Sequence, residues 1–180
     1  MKFINVIGTT GSGKSTFARK LARQLELTPI EMDDLFWLDD WQEPTDGVFF
    51  EKLKNKMDRT TGGWVLDGNY TRTMSLKLVK IDTIVWLDYS FSRNFFHLMK
   101  RSLFNLISQR KLWENSNNRE SLKLLFSKQS IFIWLIQQYP RNKAKYQMMM
   151  HDQKYQHIQF IRLTSPKQAA EFLQQIKVVQ

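Results

Sequence analysis

There is no cysteine anywhere in this chain. That excludes a disulfide framework and any zinc site built on thiolates, and it is compatible with a reducing compartment. Long apolar runs are missing too. "IFIWLI" is among the longest, far short of the roughly 20 residues that a membrane-spanning helix needs. The N-terminal "MKFINVIG" has one lysine and a brief apolar run before glycine, which is not the build of a secretion signal. A cytoplasmic location without a membrane partner is the expectation, with the chain a monomer or a homodimer. Acidic residues become scarce in the second half. Residues 1–88 carry 12 Lys/Arg and 13 Asp/Glu, whereas residues 89–180 carry 15 Lys/Arg and only 4 Asp/Glu, a net charge of +11. A half this basic suits phosphates in a cleft, a nucleic-acid backbone or another acidic surface, and a merely solvated basic face is the plain alternative. The three histidines, His97, His151 and His157, show no metal-ligand spacing.

What is present is enough apolar material for a sizeable core. Hydrophobic residues make up 42% and aromatic residues 13% of 180 residues, so one folded domain is expected and disorder is not. "FINVIG" reads as a buried strand, and "STFARKLARQL" as a helix with Phe17, Leu21 and Leu25 on one face. "TPIEMDD", "WVLD", "TIVWLD" and "HIQFIRL" read as further strands. Helices are expected over Thr45–Met57, with Phe49, Leu53 and Met57 as its stripe, and over Thr73–Val79. Ser90 is placed to cap a long helix running to about Trp113. "ENSNNRES" reads as a loop, "SIFIWLIQQY" as a helix interrupted or kinked near Pro140, and "RNKAKYQMMM" as its basic resumption. "SPKQAAEFLQQI" closes the chain as a helix with Pro166 in its first turn. Strands alternating with helices, and nearly free of charge, predict a three-layer α/β domain with a five-stranded parallel sheet. Residues 105–145 break the alternation and are the expected helical lid within a single domain spanning 1–180.

"GTTGSGKS", Gly8 to Ser15, fits the phosphate-loop pattern G-x-x-x-x-G-K-[ST] completely, with a strand before it and a helix after it. Gly8, Gly11 and Gly13 let the backbone curl so that successive N–H groups, that of Ser12 included, face phosphate oxygens. The helix N-terminus adds orphan donors and a favourable dipole. Lys14 can reach the β- and γ-phosphates, Ser15 can ligate Mg²⁺, and Thr16 can hold phosphate or cap the turn. The loop calls for a nucleoside triphosphate and does not name the reaction. No N-K-x-D sequence follows a strand, so ATP is favoured over GTP.

Ligands of parallel sheets sit at the carboxyl ends of the strands. Asp33, Asp67 and Asp88 fall at or near such ends. Asp67 suits the orientation of Mg²⁺-bound water beside phosphates, and Gly68 permits close approach of an acceptor. Arg72 can pair bidentately with a phosphate or carboxylate. Asp33 and Asp34 can receive a hydroxyl proton or hold Mg²⁺ where a second substrate would lie, and Trp37 can line its pocket. The plainer readings are that Asp34 caps a turn and that Asp88 starts a helix. In the basic half, Arg93, Arg101, Arg110, Arg119 and Arg141 are the candidates to close over a transferring phosphoryl group, Arg119 and Arg141 foremost, against a reading of each as surface solvation. Closure of that kind also expels water that would otherwise take the phosphoryl group.

"GTTGSGKST" with "VLDGNYTR" resembles the phosphate loop and third-strand segment of nucleoside monophosphate kinases, which in adenylate kinases reads approximately L-D-G-F-P-R. Asp67 and Gly68 match its Asp-Gly, and Arg72 lies one position away from its arginine. Asn69 and Tyr70 stand where that family has phenylalanine and proline, so an AMP acceptor is not implied. The segments "DDLFW", "WVLDGNY", "WLDY" and "NRES" are closer to the adenylate-kinase-like DNA topology modulation proteins, FlaR-related, over nearly the whole chain. That resemblance implies the small P-loop kinase fold, ATP and Mg²⁺ as cofactors, and an ATP-dependent phosphotransferase acting on a small-molecule or nucleotide acceptor. It leaves open a nucleotide-switched ATPase or a DNA-associated regulator affecting DNA topology. A DNA reader would show basic residues gathered on one recognition face, and here they are scattered.

Overall fold

The computed structural model describes residues 1–178; residues 179 and 180, the end of the expected domain, lie outside them. Five strands, β1 (Phe3–Gly8), β2 (Thr28–Glu31), β3 (Trp64–Asp67), β4 (Thr83–Leu87) and β5 (Gln159–Leu163), form one sheet in the order β2-β3-β1-β4-β5. All four pairings are parallel. Helix α1 (Lys14–Gln24) follows β1, and α2 (Met32–Phe36) and α3 (Asp46–Asp58) separate β2 from β3. After β3 come α4 (Met74–Leu78) and, beyond β4, α5 (Phe91–Ser108), α6 (Leu122–Leu125) and α7 (Ile131–His151); α8 (Pro166–Val178) follows β5. This is the three-layer α/β architecture expected from the alternation of strands and helices.

The strands are apolar on both faces because helices cover both. On one side Ile4 and Val6 of β1 meet Phe17 and Leu21 of α1, with Ala169 and Ile176 of α8. On the other, Ile7 joins a larger core with Phe49, Leu53 and Met57 of α3 and Tyr146 and Met149 of α7. Period-two alternation along β1 therefore points Asn5 into the second core, between Phe3 and Ile7. The caps follow the sequence. Thr45 accepts a hydrogen bond from the Val48 N–H at the start of α3, and Ser90 accepts one from Arg93 at the start of α5. Among the described residues, no helix is long and apolar enough to cross a membrane.

Three expectations are corrected. The second strand ends at Glu31, so Asp33 and Asp34 lie in the first turn of α2, where carboxylates favour the positive helix end. Helix α5 stops at Ser108 because Gln109 turns left-handed (φ 48°), five residues before Trp113. Helix α7 runs unbroken through Pro140. That proline lies on an exposed face, where water can satisfy the freed carbonyl four residues back, and buried Leu135, Tyr146 and Met149 hold the axis on either side.

Phe49 is fully buried and packs edge-on against Phe36 and at a tilt against Tyr70, at ring-centre distances of 5.1 Å. Phe49→Ala is expected to cost about 3–5 kcal/mol, read from urea unfolding as a lower midpoint with an unchanged slope.

Candidate active site

The phosphate loop is shaped by glycine where nothing else fits. At Gly11 (φ +83°) a Cβ would lie 2.2 Å from the carbonyl oxygen of Asn94 on α5. The Ser12 N–H donates to the Thr9 carbonyl at 3.1 Å, which tightens the curl. His97 Nδ1 stands 2.6 Å from the Gly11 carbonyl oxygen. A carbonyl only accepts, so Nδ1 carries the proton and holds that carbonyl outward. Lys14 Nζ donates to the Thr9 carbonyl at 3.3 Å, so the amine lies back along the loop.

Asp67 ends β3 beside this loop because Val6 of β1 pairs with it in register. It is 6% exposed, and its Oδ1 is buried with no hydrogen-bond partner. Burial pushes its carboxyl up to about 6, against the opposing pull of Lys14 and of a hydrogen bond from Ser15. Burial likewise pushes the Lys14 amine down from its ordinary value, while Asp67 and Asp33 pull it up and Arg101 adds to the lowering. Asp67 and Asp33 thus stand within electrostatic reach of the Lys14 amine, on which Arg101 also acts, and Ser15 bonds to Asp67. Beside them the Asn69 amide clamps the loop's first residue, with Oδ1 accepting from the Gly8 N–H at 3.0 Å and Nδ2 donating to the Gly8 carbonyl at 2.6 Å.

The donor set suits Mg²⁺. An unpartnered buried carboxylate oxygen beside a serine hydroxyl is a hard-oxygen pair, and Mg²⁺ takes one or two protein oxygens and fills its shell with phosphate and water. Among the described residues no cluster of three or more His, Cys, Asp or Glu side chains offers a different metal site.

A second polar group lies next to the first. Tyr70 donates its hydroxyl proton to Asp33 Oδ1 at 2.6 Å, and burial with the nearby Asp33 charge pushes the phenol up. Arg72 pairs with Asp46 at 2.8 Å and with Glu43 at 3.8 Å, its guanidinium 4.6 Å from the centre of the Phe36 ring. Gly68 is buried, and a Cβ there would meet Met32 Cβ at 2.9 Å.

The "ENSNNRES" loop docks onto the segment from Asp34 to Trp41. Asp34 accepts from the Asn115 N–H at 3.1 Å and from its side-chain amide at 2.6 Å. Asn118 Oδ1 accepts the Trp41 N–H at 2.7 Å, and its Nδ2 donates to the Leu38 carbonyl at 2.8 Å. Trp41 has φ +59°, a conformation a bulky residue holds only when its surroundings impose it. Trp37, Trp41 and Trp113 form a triangle, Trp37 edge-on to Trp41 at 5.5 Å and stacked on Trp113 at 6.1 Å, with Trp41 and Trp113 edge-on at 5.8 Å. Glu120 anchors the loop to α5 by accepting from Ser102 at 2.5 Å and Asn105 at 2.9 Å.

Thr16 is exposed. Arg119 donates to the Gln109 carbonyl at 2.6 Å, and Arg141 is exposed on α7. Asp88 is bound to Arg162 at 2.5 Å and does not cap α5, a role taken by Ser90. Sequence reasoning missed the roles of Asn5, Asn69, Lys77 and His97. For Asn5 the signal was an amide in the middle of an apolar strand. For His97 there was none, because its partner lies 86 residues away.

No protein-family model and no curated protein matches the chain. Solved structures do. A gluconokinase from Sinorhizobium meliloti 1021 superposes with a TM-score of 0.53 over 98% of this chain and 90% of its own, at 12% identity. A shikimate kinase from Acinetobacter baumannii, in complex with shikimate, gives 0.53 over 99% and 92%, at 16% identity. The deoxyadenosine kinase from M. mycoides gives 0.51 over 98% and 99%, at 11% identity. The chain has the P-loop kinase fold. At these identities the likeness concerns the fold alone.

Because the folded protein raises the Asp67 carboxyl from 3.8 to about 6, it favours the protonated form. The stability this contributes is present below pH 4 and is lost as pH rises through about 6. Carbon-13 carboxyl titration of the nucleotide-free protein is expected to give Asp67 a midpoint near 6, and Lys14→Met is expected to raise it further. A midpoint below 4 contradicts this reading.

Proposed function

We propose that this protein is an ATP-dependent phosphotransferase that moves a phosphoryl group from Mg·ATP to a small-molecule or nucleotide acceptor. The observation that carries this reading is the second polar group, Asp33 with Tyr70 and Arg72, lying beside Asp67 and the phosphate loop. Hydrolysis of ATP alone requires no such set of groups. The fold itself does not choose the acceptor, since it is shared by kinases named for gluconate, shikimate and deoxyadenosine.

In this reading the loop amides from Gly8 to Ser15 and the Lys14 amine hold the triphosphate, with Thr16 at the start of α1. Lys14 swings from the Thr9 carbonyl to the phosphates, where its charge is better matched. Ser15 and Asp67 hold Mg²⁺, which when bound draws charge from the phosphate oxygens. Asp33 takes the proton of the acceptor hydroxyl, and its hydrogen bond with Tyr70 fixes the carboxylate's direction. Arg72 exchanges its exposed partners Asp46 and Glu43 for an anionic group on the acceptor. Gly68 makes room for Met32 and Tyr70 and not for the acceptor itself, and Asp34 and Trp37 bound the acceptor side through the Asn115 and Trp113 contacts. Arg101 adds positive charge at the phosphates. Residues 105–145 form the lid of a single domain, bringing Arg119 and Arg141 towards the transferring group.

Turnover of ATP with a panel of nucleosides, nucleotides and small hydroxy acids is expected to yield a phosphorylated product with at least one acceptor. Acceptor-independent hydrolysis across a broad panel would speak instead for a nucleotide-switched regulator. With the accepted substrate, Lys14→Ala should abolish turnover. Arg72→Ala should raise the acceptor KM about 10- to 100-fold, the worth of a lost charge-assisted hydrogen bond, with the KM for ATP nearly unchanged.

A further inference from the structure

Beneath the site lies a polar chain that the roles above do not use. Lys77 of α4 is 1% exposed, an unusual place for a lysine. Its Nζ donates to Asn5 Oδ1 at 3.0 Å, and its other neighbour is Met32 Sδ at 3.9 Å. Among the described residues no carboxylate pairs with it. Burial pushes the amine down to about 7, and the positive charge of Lys145 adds to that lowering.

Asn5 is equally buried, at 1% exposure. The lysine donor on one side requires Oδ1 to face it, which turns Nδ2 towards the other side. There Nδ2 donates to the Gly68 carbonyl at 3.1 Å, with longer contacts to the carbonyls of Val6 at 3.3 Å and Leu66 at 3.4 Å. Gly68 is followed by Asn69, whose amide clamps Gly8. A line of hydrogen bonds therefore runs from α4, through the centre of β1, to the residues on either side of the phosphate loop. An apolar pair of similar size would fill the same space without burying an amine. What the polar pair adds is a hold on the Gly68 carbonyl.

We propose that Lys77 and Asn5 are positioning residues, which hold the Asp67–Asn69 segment against the first residue of the phosphate loop so that Asp67 stands in place before nucleotide binds. The kinetic consequence rests on the phosphotransferase reading; the hold itself does not. The chain Lys77–Asn5–Gly68 orders the backbone at Asp67, and the Asn69 clamp passes that order to Gly8.

The test compares the full chain with Lys77→Met, Asn5→Leu and the double variant, measuring thermal melting, amide hydrogen exchange at Gly8 and Gly68, and kinetics. Lys77→Met is expected to melt below the wild type at pH 7, because Asn5 Oδ1 is left buried without a donor, whereas the double variant, which removes both partners, is expected to melt at or above it. The Gly8 and Gly68 amides of Lys77→Met are expected to exchange at least tenfold faster. With an accepted substrate, kcat should fall about tenfold while the KM for ATP changes less than twofold. The double variant removes the pair together and should show the same exchange rates as either single variant. Should Lys77→Met fail to fold, the double variant decides. Unchanged exchange at Gly8 and Gly68 in a folded variant overturns the proposal. Faster exchange without turnover of any acceptor supports the hold and counts against the phosphotransferase reading alone.

Discussion

The arrangement depends on the parallel pairing of β1 with β3. Their register sets Val6 opposite Asp67, so that one strand runs out into the phosphate loop where the other ends in a carboxylate. Both ends are buried, and each strand end carries a charge or a line of amide donors that must find partners. Asn69 supplies part of the answer by closing on Gly8 with both atoms of its amide. Asp67 retains an unpartnered buried oxygen. A core carboxylate kept in that condition is a poor contributor to stability, and under the proposed function its placement is accounted for by the ligand it would hold.

The charge asymmetry of the chain takes a specific form in three dimensions. The acidic segment from Asp34 to Asp40 is covered by asparagine N–H donors and not by arginines. Asn115 and Asn117 bring donors to Asp34, Asp39 and Asp40 without neutralising them. The negative charge of this segment is therefore retained, while Arg72 has exposed carboxylates for partners. Exposed ion pairs of this kind are weak, so Arg72 is available for exchange. The same asparagines link the loop after α5 to the segment after α2, and Glu120 secures that loop from the α5 side.

Much of the frame was legible along the chain. Apolar runs bounded by glycine and polar turns marked all five strands, and Ser90 and Thr45 marked two helix starts by their cap chemistry. The phosphate loop was legible because its glycines answer a local backbone demand, seen at Gly11, whose φ of +83° suits glycine and few other residues. Helix ends were less so. The stop at Gln109 has no glycine or proline to announce it, and Pro140 suggested a break that packing on both sides prevents.

Taken alone, the sequence determined the alternation of elements, the loop that curls around phosphate, and the acidic residues near the strand ends, because each is written in neighbouring residues and short periodicities. Only the tertiary structure decided which of those residues meet. Asn5 with Lys77 spans 72 positions, Asn69 with Gly8 spans 61 and Asp34 with Asn115 spans 81. No local pattern encodes such pairs; they arise where strand register and helix packing bring polar atoms within hydrogen-bonding reach, and for the buried pair of Asn5 and Lys77 an unmade bond is costly.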